Sequence, residues 1–249
     1  MMGYRYKISG ALQTGLSHQA AGEPCQDRIT VKREGPVFCC ALADGAGSRL
    51  HSGLGAEAAV RGAAEMLLGN FDLLWEASQE EAAKTILRAV LMELEALSLP
   101  LPQLASTLLI CAGDDRGRIL TAHLGDGAMI LAPGSGEPWV HSGPENGEAR
   151  NETWFTTSPE ALSHLRISRQ QLTEPGTLLL MSDGVENSLL NHRTGLPAPG
   201  CAALGRWLRE LPEDVGQQVL KKNLQASCSK YSGDDLSLIG ITWDRNLEE

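Results

Sequence analysis

Aspartates recur where apolar runs stop. Asp44 directly follows residues 37–43 (VFCCALA), Asp126 comes two residues after 118–124 (RILTAHL), and Asp183 follows 177–182 (TLLLMS). Each precedes a glycine. Asp27 stands just ahead of another apolar start, and Asp234-Asp235 just ahead of 236–243 (LSLIGITW). Asp-Gly is also the commonest hairpin turn, so any one of these reads equally well as a turn. Five acidic strand ends are more than turns require. Carboxylates at strand ends can converge on one rim of a sheet, where they repel one another unless a cation lies between them. Hard oxygen ligands select Mg²⁺ or Mn²⁺ over zinc. Magnesium keeps several waters, so few direct protein ligands suffice. A glycine after the ligand lets the backbone come close, and its carbonyl can also coordinate. Two such ions about 3.5–4 Å apart clamp a phosphoryl oxygen and turn a bridging water into a nucleophile. Competing chemistries lack their signatures: the chain has no GxSxG elbow, no P-loop, no GxGxxG, and no cysteine leading a phosphate-cradling loop.

The elements that must position these residues follow from the apolar pattern. Residues 1–31 read as extended segments broken at Gly10, Gly15 and Gly22 to Pro24. The run 37–43 has strand length. A small-residue helix is expected over about 53–68, and a second over about 79–97 with Ser78 and Glu81 at capping-box spacing. Ile86, Val90 and Leu94 make its core stripe, and Pro100 and Pro102 end it. Strands are expected at 106–112, 118–124 and 128–132, the first two joined by the turn Asp114 to Gly117. Residues 133–147 read as loop, and Ser158-Pro159-Glu160 as the capped start of a short helix. A strand at 177–182, a helix at 213–226 and a last strand at 236–243 follow. Helices are grouped rather than alternating with strands, which predicts an α+β fold of two antiparallel sheets with helices packed outside.

These residues resemble the metal-dependent protein phosphatase 2C family in its compact bacterial form. Gly15 to His18 with Pro24 to Asp27 looks like the first metal motif, and Ala43 to Ser48 like the second. Ala105 to Leu109 looks like the family's strand before its hairpin. His123 to Gly127 resembles its Gly-Asp-Ser turn, and Asn146 to Thr153 resembles a loop of the bacterial subgroup. Leu180 to Val185 and Gly233 to Ser237 look like the last two metal motifs. Each motif alone is weak, but together they run in the family's order over nearly the whole chain.

The resemblance implies a single domain over 1–249: a central sandwich of two antiparallel sheets flanked by pairs of helices. It implies hydrolysis of phosphoserine or phosphothreonine by metal-activated water, with Mn²⁺ or Mg²⁺ as two ions and a third. Asp44 would bridge both ions and the Gly45 carbonyl would hold one. Asp183 and Asp234 would complete one set, Asp126 would join Asp183 at a weaker third ion, and Asp27 would orient metal-bound water. Asp235 stands where the family usually has Asn and is held as a neighbour. The family's arginine a few residues before the first aspartate has no counterpart, because residues 17–26 hold no Arg or Lys. His18 or Arg49 takes its place as substrate-phosphate residue, or the metals alone hold the phosphate. Gln26 stands in place of a glutamate, Ala46 where eukaryotic members carry a histidine, and Gly127 in place of the serine. A binding module of the same fold without turnover, and a hydrolase of small phosphoesters, are the other readings.

Composition narrows the partners. With Lys+Arg 21 and Asp+Glu 31 the formal charge is −10. Such a chain has no electrostatic footprint for nucleic acid or anionic membrane. No apolar run approaches the roughly 20 residues of a membrane helix, and the N-terminus lacks a signal-peptide pattern. The six cysteines form no CxxC pair and read as free thiols in a reducing cytoplasm. The six histidines lack ligand spacing, and Trp139 and Trp154 read as core edges or as a wall beside substrate. Phosphoprotein substrates, a cognate serine/threonine kinase, a monomer and cytoplasmic residence are expected.

Overall fold

A computed structural model describes residues 3–145 and 153–246. Most of the loop motif 146–153 and the terminal Glu248-Glu249 pair therefore lie outside the described residues. Strand β1 (Gly3–Gln13) leads through α1 (Leu16–Ala21) to the hairpin β2 (Arg28–Glu34) and β3 (Val37–Ala43). Two long helices follow, α2 (Ser52–Glu76) and α3 (Gln79–Ala96). Next come β4 (Leu108–Asp114), β5 (Arg118–Leu124), β6 (Ala128–Pro133) and β7 (Trp139–Ser142). The one-turn α4 (Ala161–His164) precedes β8 (Arg166–Gln171), β9 (Gly176–Met181) and α5 (Asp183–Leu189). A ribbon of β10 (Leu190–Asn191) and β11 (Leu196–Pro197), helices α6 (Gly200–Glu210) and α7 (Glu213–Ala226), and β12 (Leu236–Asn246) complete the described chain.

The strands form two five-stranded antiparallel sheets, ordered β1-β12-β9-β6-β7 and β2-β3-β4-β5-β8. This is the expected α+β sandwich. It explains why the central strands read as unbroken apolar runs: both of their faces are covered. Along β3, Phe38, Cys40 and Leu42 point into the layer between the sheets, while Cys39, Ala41 and Ala43 point toward α2 and α3. Along β9, Leu178 and Leu180 enter the middle layer, and Leu179 and Met181 meet α5 and α6. Leu42, Leu109 and Leu180 have no exposed surface. Burying each such side chain is worth about 2 kcal/mol.

Close backbone approach explains the small residues of α2. A Cβ on Gly55 would fall 2.0 Å from the Leu104 carbonyl oxygen, and one on Gly62 3.0 Å from that of Ala89. The helix runs on past the expected 68 to Glu76, with non-helical backbone at Asn70. On α3 the capping box is made: Ser78 Oγ accepts from Glu81 N at 3.2 Å, and Glu81 Oε2 from Ser78 N at 3.1 Å. Helix α7 has the expected bounds.

Several expectations are corrected. The loop expected at 133–147 contains β7, which pairs with β6 across a register shift at the sheet edge. Ser158 does not cap α4; its hydroxyl accepts from Phe155 N at 3.0 Å, and the helix starts at Ala161. Helix α1 replaces the extended backbone expected at 16–21, and α5, α6 and β8 fall where no element was expected. Trp154 packs on the helix-side core and stacks on His164 at 4.0 Å, whereas Trp139 is exposed. The six cysteines are free, five of them buried. Among the described residues no helix is long and apolar enough to cross a membrane.

Candidate metal centre

Asp44 leaves β3 at the sheet rim, and its backbone is held on both sides. Its N–H donates to Thr107 Oγ1 at 3.0 Å, and its carbonyl accepts from Thr107 N at 2.9 Å. Gly45 bridges to Ser106, and Ala46 N donates to the Ala105 carbonyl at 3.0 Å. The segment 105–107 therefore serves as a splint that aims the Asp44 carboxylate. A Cβ on Gly45 would lie 2.9–3.0 Å from backbone atoms of Ser52 and Gln26. Only glycine fits between the entry to β2 and the start of α2.

Behind Asp44 lies Asp27, with no exposed surface. Ser237, Asp44 and Ser182 are its polar neighbours, yet neither of its carboxylate oxygens completes a hydrogen bond. Burial pushes its carboxyl up to about 7. Asp44 is held well above the usual carboxylate range by burial and by the charges of Asp27, Asp183, Asp126 and Asp234. Asp183, at the first turn of α5, is pushed up to about 6 by burial and by Asp126 and Asp234. Its Oδ1 is buried without a hydrogen-bond partner. Asp126 sits in the turn between β5 and β6, where the Thr153 hydroxyl donates to its Oδ2. Thus the rim gathers Asp27, Asp44, Asp126, Asp183 and Asp234, residues brought from five separate strand ends.

The adjacent acids of the 234–235 pair divide their work. Asp235 is buried, and its carboxylate is fully engaged. It accepts from Gly15 N at 2.7 Å and Gln26 N at 2.6 Å, and meets His18 Nδ1 at 2.9 Å. It therefore pins segment 15–26 against the start of β12. Asp234 is exposed and accepts only from Asp235 N, at 2.8 Å, among the described contacts. Glycines again permit the approach. A Cβ on Gly15 would fall 2.3 Å from the Asp234 carbonyl carbon, and one on Gly184 2.1 Å from the Asp235 carbonyl oxygen.

The departures noted in the sequence have physical reasons. Gly127 lies under β9, where a Cβ would come 2.5 Å from the Met181 carbonyl oxygen, so serine has no room. Gln26 Oε1 accepts from the Ser52 hydroxyl at 2.9 Å and ties the metal loop to α2. His18 has both ring nitrogens facing carboxylates, Asp235 at 2.9 Å and Glu23 at 3.7 Å. Burial works against its charge, but the Asp235 hydrogen bond and the nearby acids raise its pKa above the ordinary value. That geometry braces His18 against Asp235 through Nδ1. Arg28 turns its guanidinium onto the carbonyls of Cys25 and Asp27, at 2.7 and 2.8 Å. Arg49 is exposed and lines a cleft of about 550 Å³ together with Gln26, Arg28 and His51.

One acidic residue escaped the sequence reading. Glu186 lies one turn after Asp183 on α5, is 4% exposed, and keeps Oε1 unpartnered. The helix that places it was hidden by the strand reading of 177–182, which stops at Asp183-Gly184.

The chemistry of this donor set fits a divalent cation. Buried carboxylates with unpartnered oxygens and only like-charged neighbours are unstable as anions unless a cation joins them. No three acidic, His or Cys side chains among the described residues stand close enough to enclose an ion by themselves. A hydrated Mg²⁺ needs only one or two direct carboxylates and retains its waters. The set thus suits hydrated ions rather than a closed cage.

Comparison with known proteins finds the same fold. The serine/threonine phosphatase of S. agalactiae superposes with a TM-score of 0.68 at 16% identity, covering 95% of this chain and 99% of that one. PppA, a regulatory component of T6SS in Pseudomonas aeruginosa, gives 0.67 at 13%, covering 99% and 100%. RsbX in complex with magnesium gives 0.61 at 14%, covering 98% and 100%. No curated protein matches the sequence. At these identities the likeness shows the fold alone. The family model for protein phosphatase 2C, however, matches residues 14–226, which run from the loop before Asp27 through Asp183 to the end of α7. The chain belongs to the protein phosphatase 2C family.

Proposed function

We propose that this chain is a metal-dependent protein serine/threonine phosphatase working at two Mg²⁺ or Mn²⁺ ions, with a weaker third. The observation that carries this is the convergence on Asp44 of Asp27, Asp126, Asp183 and Asp234, with buried oxygens left unpartnered. Asp44 would hold both ions and the Gly45 carbonyl one, with Asp183 and Asp234 completing one set. Asp126 would share the third ion with Asp183. When bound, the ions supply Lewis-acid stabilisation of phosphoryl oxygens and a water nucleophile at neutral pH. RsbX in complex with magnesium supports the choice of a hard cation.

The protein's own groups do the positioning. Asp27, buried behind Asp44 with both carboxylate oxygens unpartnered, would accept hydrogen bonds from the attacking water and orient it. Asp235 keeps the Asp27 loop in register. Arg49 meets the substrate phosphate from the cleft. Cys25 lines that cleft too, but burial and the charges of Asp27 and Asp235 push its thiol up to about 12. It is no thiolate at neutral pH, which supports direct hydrolysis over a cysteinyl intermediate. Phosphoprotein substrates in the cytoplasm, with a cognate serine/threonine kinase, extend the same reading.

A second reading, a phosphoprotein-binding module without turnover, is favoured by one observation. Among the described residues, no Lys or Arg is named among the main charges that bear on Asp27, Asp44 or Asp183. The experiment that decides is hydrolysis of a phosphothreonine peptide with and without millimolar Mn²⁺, beside Asp44→Asn. Metal-dependent turnover that falls on the order of a thousandfold in the variant is expected. Folded protein with no turnover at any metal concentration overturns the enzymatic reading, and a clear preference for nucleotides overturns the phosphoprotein substrate.

A further inference from the structure

Glu186 has no place in the ligand set above, yet its surroundings resemble those of the ligands. Its carboxylate is almost wholly buried, and Oε1 completes no hydrogen bond. The charges that bear on it are those of Asp183 and Asp126, with no Lys or Arg among them. Asp183 and Glu186 are three residues apart on α5, a spacing that puts both on one helix face. One other polar group approaches: His192 Nδ1 lies 3.6 Å from Oε1. That distance is too long for a hydrogen bond. His192 Nε2 is spent on Asn187 Oδ1 at 3.0 Å, so in the neutral ring the proton lies there and Nδ1 turns a lone pair toward Glu186. Among the described residues, then, this buried carboxylate faces two further carboxylates and a lone pair and has no positive partner.

We propose that Glu186 is a cation-holding residue: beside Asp183 and Asp126, and through a cation's retained waters rather than by a closed ring of three carboxylates, it would help to hold one hydrated Mg²⁺ or Mn²⁺. The proposal rests on the metal-centre reading and adds to it. A third carboxylate raises the charge of the weaker seat, and ligand charge is a main determinant of affinity at oxygen sites.

Metal-stripped wild-type and Glu186→Gln proteins are titrated with Mn²⁺ in a calorimeter. The wild type is expected to take up a weaker ion after the tighter ones. In Glu186→Gln that weaker step is lost or weakened about tenfold or more, with the tighter steps unchanged. In chelator, the variant is expected to melt at or above the wild-type temperature, because a like charge has been removed. Glu186→Asp, which keeps the charge on a shorter arm, is expected to retain the weaker step in part, and it serves in its own right if the glutamine variant fails to fold. Identical uptake by wild type and both variants overturns the role of Glu186 and leaves the tighter metal centre standing. No Mn²⁺ uptake by the wild type overturns the metal-centre reading itself. A Glu186→Gln protein destabilised in chelator to the same degree as His192→Ala also overturns the seat, because His192 is then the counter-charge.

Discussion

Asp235 receives the backbone N–H of Gln26 at 2.6 Å across 209 residues of chain. The same carboxylate takes Gly15 N at 2.7 Å and His18 Nδ1 at 2.9 Å, so it fastens the loop that carries Asp27. Removing it leaves buried donors without an acceptor. Asp235→Ala is expected to cost about 3 kcal/mol, read as a lowered urea midpoint, since hydrogen bonds to buried charges are the expensive ones to leave unmade. Asp234→Ala, at an exposed position, is expected to change stability by about 0.5 kcal/mol or less while weakening Mn²⁺ binding. Equal destabilisation by the two would show that the adjacent acids do not divide their work as the structure has them.

A second expectation concerns the metal-free protein and pH. Asp27 is held at about 7, Asp183 at about 6 and Glu186 at about 7, against unfolded values near 4. The folded state therefore binds more protons than the unfolded state between about pH 4 and 7, and stability falls as pH rises through that window. The stabilising protons are fully bound below the unfolded values and lost above the folded ones. In chelator, urea midpoints are expected to drop from pH 5 to pH 7.5. Millimolar Mn²⁺ is expected to restore the midpoint at pH 7.5 and to do little at pH 5, because protons compete for the same oxygens. A midpoint that rises with pH in chelator would remove the electrostatic argument for the centre.

Close contacts at glycines give a third expectation. Gly184→Ala would set a methyl 2.1 Å from the Asp235 carbonyl oxygen, and Gly127→Ser a Cβ 2.5 Å from that of Met181. Both neighbours are backbone in paired or capped segments and cannot yield cheaply. Each change is expected to cost about 3 kcal/mol or more by overpacking. Gly47→Ala meets nothing within 4 Å and serves as the control. Restoring the serine of the family's turn is thus expected to harm this protein, and a Gly127→Ser variant as stable as the parent would refute that.

The strand-end aspartates were legible because β3 and β9 are covered on both faces. Their apolar runs are unbroken, and the abrupt acid-glycine stops at Asp44 and Asp183 stand out. The sandwich was legible for the same reason. The division between Asp234 and Asp235 was harder, since adjacent residues entering a strand face opposite ways and composition does not say which faces the rim. The bonds of Asp235 to Gly15 and Gln26, more than 200 residues away in sequence, decide it. Glu186 was invisible because seven residues of α5 are too few to show a helical period. Strand β7, four residues at a sheet edge, was lost inside a glycine- and proline-rich stretch for the same want of length.

The last expectation separates the two residues that the sequence offered for substrate phosphate. Arg49 is exposed in the cleft that begins one residue from Asp27, whereas His18 is held between Asp235 and Glu23. His18 has spent Nδ1 on a buried carboxylate and keeps at most one ring N–H, on Nε2, for phosphate, while an exposed guanidinium has its whole fork available. Arg49→Ala is expected to raise KM for a phosphothreonine peptide about tenfold, with the unfolding midpoint unchanged, since one charge-assisted hydrogen bond is worth about 1.5–3 kcal/mol. His18→Ala is expected to do the reverse. It costs about 1–2 kcal/mol of stability through the lost bond to Asp235, read as a lowered midpoint, and leaves KM of the folded fraction near the parent value. If His18→Ala raises KM without loss of stability, the phosphate seat belongs to His18. Should neither variant move KM, the phosphate is held by the metal centre alone, and Arg49 is simply a surface charge.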